Sequence, residues 1–248
     1  MRIGTAFGIG GVLLVMAMAS GCGGSQGGDA VIDPGDGGGY APEIDPVRFT
    51  DVIDNPFLPL LPGARWVYEA RDGDEVERIE VTVTDDRRMV TGVSTVVVHD
   101  VVSVDGELIE DTYDWFAQDD VGNVWYFGEA TVAYIDGRAS GAGSWEAGVD
   151  GARPGIVMAA HPEVGMAYRQ EYLAGEAEDM GQVVALDGTA ETPFGSFSDL
   201  VVTIDWTPLE PDVVERKRYA TGVGFVYESI DSGGGGIEAL VEFTPGEA

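Results

Sequence analysis

Few residues in this chain can carry nucleophilic, acid–base or metal chemistry. There are two histidines, His99 and His161, one cysteine, Cys22, and one lysine, Lys217. Lys217 lies between Arg216 and Arg218, so the Gly-Lys-Ser/Thr of a phosphate-binding loop is missing. Neither a Gly-x-Ser-x-Gly elbow nor a His-Glu-x-x-His helix motif occurs. Two histidines and one cysteine do not build a protein-only zinc site, so no metal or cofactor is expected.

Each histidine has a plain reading beside a chemical one. His99 sits in the run VVVHDVV (residues 96–102). Neighbouring residues of a strand point to opposite faces, so Asp100 is not placed to orient His99 as a base. His161 follows Ala160 and precedes Pro162-Glu163, in a stretch that also holds Trp145 and Arg153. A loop histidine among carboxylates can act as a general base near neutral pH or hold a ligand. The plainer reading is a side chain bonded to backbone. Asp119-Asp120-Val121-Gly122-Asn123 imitates a calcium loop, yet Val121 stands where an oxygen ligand is needed, and the segment reads as a hairpin turn. Glu176-Ala177-Glu178-Asp179 reads as a solvated acidic turn with weak calcium affinity as its alternative. The chain has 44 acidic residues, so no particular pair of carboxylates is singled out for glycoside hydrolysis.

These residues ride on a strongly acidic chain. Against the acids stand 13 basic residues, a formal charge of −31 over 248 residues. Such a chain does not hold nucleic acid through its phosphates. With 44% hydrophobic residues it can still bury a sizeable core. The elements that must position the candidates read as strands. Trp66 and Tyr68 alternate with Arg65, Val67 and Glu69; Ile79, Val81 and Val83 alternate with polar partners; residues 93–104 are β-branched. Asp-Gly pairs at 72–73, 105–106, 136–137 and 187–188 supply the positive φ of tight hairpins. One helix-like window, residues 168–183, is interrupted by Gly175 and reads as a strand followed by an acidic turn or short helix. The expectation is an all-β domain over residues 45–246: a single antiparallel, strongly curved sheet or open barrel of ten or more strands. Residues 140–165 are Gly/Pro-rich and poorly periodic, and read as a long functional loop.

Residues 1–21 read as a secretory signal: Arg2, then an apolar stretch at 9–19 too short to span a bilayer. The phrase Ala19-Ser20-Gly21-Cys22 resembles the bacterial lipobox, with Ala19 where that motif usually has Leu. The resemblance implies cleavage before Cys22, acylation of Cys22 and anchorage to a membrane, the outer one if the source is Gram-negative. Residues 22–44, rich in Gly, Asp and Pro, read as a flexible tether.

Three ordered phrases carry a second resemblance: PLLPGARWVY (residues 59–68), TPFGSF (192–197) and YATGVGFV (219–226). The set resembles a group of uncharacterised bacterial envelope lipoproteins sharing PLxPGxxWxY, PxGxF and YxxGVGxV. It implies a curved antiparallel sheet, loosely similar to the periplasmic lipoprotein-carrier (LolA/LolB-like) folds, and assigns no catalytic residue.

The reading is a lipid-anchored, extracytoplasmic, non-enzymatic protein. Its expected partners are the membrane, through Cys22, and an apolar small molecule or an envelope protein, with Trp115, Trp125, Trp145, Arg153 and His161 as ligand-binding candidates. A secreted hydrolase using His161 with loop carboxylates, and an acidic calcium-binding surface protein, are the alternatives.

Overall fold

The computed structural model describes residues 39–135 and 137–247. The signal segment, Cys22 and most of the tether lie outside them. A 3₁₀ turn at Pro46–Arg48 leads into sixteen strands. The first five are β1 (Phe49–Thr50), β2 (Arg65–Asp72), β3 (Glu75–Val90), β4 (Val93–Val104) and β5 (Glu107–Asp119). Then come β6 (Val124–Ile135), β7 (Arg138–Ser140), β8 (Trp145–Glu146), β9 (Arg153–Met158), β10 (Ala167–Arg169) and β11 (Glu171–Tyr172). The last five are β12 (Met180–Glu191), β13 (Ser196–Trp206), β14 (Val214–Ala220), β15 (Gly224–Ser232) and β16 (Ile237–Thr244). No helix among the described residues is long and apolar enough to cross a membrane.

All pairings are antiparallel, in the order β10-β12-β13-β14-β15-β16-β2-β3-β4-β5-β6-β9-β11, with β1 on β5 and β7 and β8 on β6. The two ends of that order, β10 and β11, are consecutive in the chain, separated by Gln170 alone. The sheet therefore curls until its edges meet, as the curved-sheet expectation requires. Gly155 on β9 makes the meeting possible: a Cβ there would lie 2.4 Å from the Arg169 carbonyl oxygen and the Gln170 carbonyl carbon. Hairpins drive the curling. At Asp105-Gly106 both residues have positive φ, 52° and 80°, the geometry whose twist matches right-handed strands.

Two expectations change. Asp187-Gly188 is no hairpin. Gly188 lies within β12 opposite Leu200, amid register shifts, where an added Cβ would meet Val202 at 2.4 Å. Its glycine serves close packing, and the turn falls at residues 192–195, where Thr192 and Gly195 exchange backbone hydrogen bonds. Residues 140–165 are no single loop either. They contribute β8 and β9, and β9 extends the sheet beside β6. Pro154 and the Gly residues masked that pattern.

One end of the interior is apolar. Trp66, Tyr68, Ile79, Val81, Val83, Val96, Val98, Phe116, Tyr126, Leu200, Val226 and Leu240 are buried in one cluster. Residues 51–64 cross that end: Leu60 N–H donates to Ile53, and Gly222 N–H donates to Pro56. The three phrases of the family resemblance meet here. Trp66 Nε1 donates to the Val223 carbonyl, Tyr68 Oη to that of Phe225, and Phe194 N–H to that of Leu240.

Candidate functional site

Outside the sheet's apolar end lies an open hollow of about 320 Å³, in the size range of small-ligand pockets. Pro56, Phe57, Val121, Gly122, Ala160, His161 and Pro162 form its walls, and Asp54, Asn55 and Gln118 its floor. The floor is held by a network between sequence-distant segments. Gln118 Oε1 accepts from the backbone N–H groups of Asp54 and Asn55, while its Nε2 donates to Asp54 Oδ1 at 2.7 Å. Asn55 Nδ2 donates to the carbonyls of Gly122 and Ala159, and its Oδ1 accepts from Phe57 N–H. Asn123 ties in the remaining wall by accepting from Ala160 N–H at 2.8 Å. The buried amides of Asn55 and Gln118 are thus committed to the protein, while Asp54 is exposed. The hollow presents apolar wall and the exposed His161 ring to a visitor.

The other predicted site residues are not in this hollow, and the structure does not bring the five together. Trp115 lies on the outer face of the sheet, in register with Val97, with the Arg88 guanidinium 4.0 Å from its ring centroid. Trp125 is also outward, donating to Asp119 Oδ2 and meeting Phe49 edge-on. Trp145 is buried inside, perpendicular to Tyr126. Arg153 is exposed at the start of β9, opposite Tyr172. Phe116 and Asp114 take the inside, so Tyr113 and Trp115 take the outside, where Tyr113 stacks on His99 at 4.3 Å. His99 in turn bonds Asp111 rather than Asp100, at 2.8 Å. The turn at 119–123 uses its oxygens internally: Asp119 Oδ1 accepts from Val121 and Asn123, and Oδ2 from Asn123 Nδ2 and Trp125.

The other half of the interior is acidic, a feature sequence reading missed. The inward parity that gives Ile79, Val81 and Val83 continues to Glu77; that of Val96 and Val98 continues to Asp100; that of Phe116 continues to Asp114, Thr112 and Glu110. Glu129, Glu171, Asp205, Glu228 and Glu238 complete a buried belt. Three of its carboxyl pairs stand directly opposite across neighbouring strands: Asp114–Glu129, Asp205–Glu215 and Glu228–Glu238. Like charges so placed repel. Lys217 stands among them. Lys217 Nζ lies 3.2 Å from Asp205, 3.4 Å from Glu215 and 3.8 Å from Glu228. Both oxygens of Glu77 and one each of Asp100, Glu129, Asp205 and Glu238 have no hydrogen-bond partner.

Desolvation brings Glu77, Asp114 and Asp179 to about 7, with Tyr126 Oη opposing the shift at Asp114 and Lys217 opposing it at Asp179. It carries Asp100, Glu129, Glu171, Glu228 and Glu238 well above the carboxylate range, and neighbouring carboxylates add to each. Lys217 is held well above its ordinary value, because the three carboxylates around it outweigh its burial. No three acidic or histidine side chains among the described residues converge as a metal site. The crevice beside Lys217, lined by Gln170, Asp179, Asp205, Trp206 and Glu215, holds about 20 Å³, room for a single water.

No family model matches the chain, and no curated protein does. Two solved structures resemble it. One, from Bacteroides fragilis, is described as an exported protein with a YmcC-like fold. It aligns over 76% of this chain and 98% of its own, at 14% identity and a TM-score of 0.46. The other, from Parabacteroides distasonis, is described as a lipoprotein. It aligns over 77% and 99%, at 11% identity and a TM-score of 0.42.

Proposed function

We propose that the protein is a lipid-anchored extracytoplasmic module that binds rather than catalyses, receiving an apolar group of an envelope partner or small molecule in the His161 hollow. The observation that carries this reading is the hollow itself: an apolar wall and an exposed imidazole over Asn55 and Gln118, whose amides are already paired. An apolar visitor settling over Asn55 and Gln118 desolvates no unpaired amide there, so burying its surface is favourable at about 25 cal/mol per Å². The interior of the sheet is filled by side chains at one end and by carboxyls at the other, which favours a site outside it. The hydrolytic alternative needs His161 to work with a carboxylate. Asp54, the carboxylate of the hollow, is engaged by Gln118.

A photo-reactive amino acid at position 161 tests this in cells. Covalent adducts should form there and be absent when the same group replaces Tyr134, exposed on β6. Equal labelling at both positions, or none at 161, would remove the hollow from the account.

A further inference from the structure

The place where the sheet's edges meet is weakly built and strongly charged. β10 contributes three residues paired to β12, and β11 contributes two paired to β9. One of those two pairs uses Pro154, which has no N–H to donate. Between them Gln170 N–H donates to the Asp179 carbonyl, and its Nε2 to Asp205 Oδ2. Tyr40, from the segment read as tether, lies over this seam. Its hydroxyl donates to the Pro154 carbonyl and its ring meets Tyr172 edge-on.

Behind the seam sit groups that cannot all be ionised. Glu171 on β11 is buried against Trp145, whose indole N–H makes no fully formed hydrogen bond yet lies close enough to favour the charged carboxylate. Asp179 follows the next turn. Facing them are Asp205 on β13, Glu215, Lys217 and Tyr219 on β14, and Glu228 on β15. From the other side come Asp114 on β5, Glu129 and Tyr126 on β6, and Tyr168 on β10. On β10 the buried Arg169 packs its guanidinium over the Tyr172 ring. Lys217 is committed to Asp205, Glu215 and Glu228.

We propose that the seam at Gln170 is a proton-controlled closure, which holds while Glu171 and Asp179 keep their protons and parts when they lose them. Losing both protons adds two negative charges to a closed space whose one lysine is already paired with Asp205 and Glu215. Charge repulsion in a low-dielectric interior is large, and the five-residue seam is the element least able to resist it. Release of β11 from β9 would hydrate the belt without disturbing the long central strands. A resident metal ion is the other way to neutralise the belt. Opposed carboxyl pairs without a third converging ligand suit shared protons better than a hard cation's six to eight oxygens.

Hydrogen exchange of the full-length chain, expressed as protection corrected for intrinsic rates, tests this at pH 5.5 and 8.5. Protection at residues 153–155 and 167–172 should fall on going to pH 8.5 by at least tenfold more than at residues 96–102 of β4. The Glu171→Gln, Asp179→Asn double variant should keep the seam protected at pH 8.5; Asp179→Asn alone serves if the double variant does not fold. Parallel loss at the seam and β4, or a variant seam that loosens like the wild type, would overturn the proposal. So would full restoration of the wild-type seam at pH 8.5 by millimolar calcium, which would make the belt a metal site.

Discussion

Trp66 donates its indole N–H to the carbonyl of Val223 at 2.7 Å, across 157 residues of sequence. Tyr68 repeats the relationship with Phe225 at the same separation. Phe243 packs against Trp66 and meets Phe194 edge-on, so the opening, middle and closing phrases of the domain form one apolar end.

Truncating the tryptophan should therefore be severe. Trp66→Ala is expected to cost roughly 3–5 kcal/mol, the range for a large buried aromatic. Trp66→Phe keeps most of the packing but orphans the Val223 carbonyl, at about 1–3 kcal/mol. Urea unfolding of the two variants separates packing from hydrogen bonding; equal losses would contradict the geometry.

Lys217 should be indispensable at neutral pH. Lys217→Met leaves Asp205, Glu215 and Glu228 buried without a cation, and breaking such a cluster costs roughly 3–5 kcal/mol. Adding Asp205→Asn, which removes the nearest acid at 3.2 Å, should recover part of that loss. A second substitution that destabilises further would show that Asp205 is not the lysine's ion-pair partner.

Stability should fall as pH rises, against the usual behaviour of carboxylates. Glu77, Asp114 and Asp179, ordinarily near 4, titrate at about 7 in the folded protein. Between these values the folded state binds protons that the unfolded chain has released. Their contribution is complete below about pH 4 and is lost as pH rises through about 7. The melting midpoint should thus be higher at pH 5 than at pH 8. General charge repulsion at −31 acts in the same direction. The diagnostic is therefore that Asp114→Asn flattens the profile and Glu107→Gln, an exposed site on β5, does not.

Replacing Cys22 by Ser should abolish acyl labelling and release the protein from membranes. Retention of label and sedimentation with membranes would refute the anchor.

The strand content was legible because Trp66/Tyr68 and Ile79/Val81/Val83 alternate, and because Asp105-Gly106 can do little but turn. The acidic interior was hidden by the same rule. Glu77, Asp100 and Asp114 share the parity of their apolar neighbours, but acids usually face water, so alternation alone does not mark them as interior. Trp115 stands on the outer face because Asp114 and Phe116, between which the β5–β6 register shifts, hold the inward positions. His161 could be suspected from its Gly/Pro-rich surroundings, whereas Asn55 and Gln118 could not. Their roles arise only when residues 51–64 cross the apolar end.

Infrared spectroscopy in D₂O at pH 7 reports un-ionised carboxyl groups directly, and so tests most closely whether the interior is charged with protons. The wild-type protein should show a carboxylic acid band that weakens in Asp114→Asn and in Glu238→Gln and vanishes on unfolding in urea. A folded protein with no such band at pH 7 would mean that the belt is ionised, and would contradict both the proton-filled interior and the closure built on it.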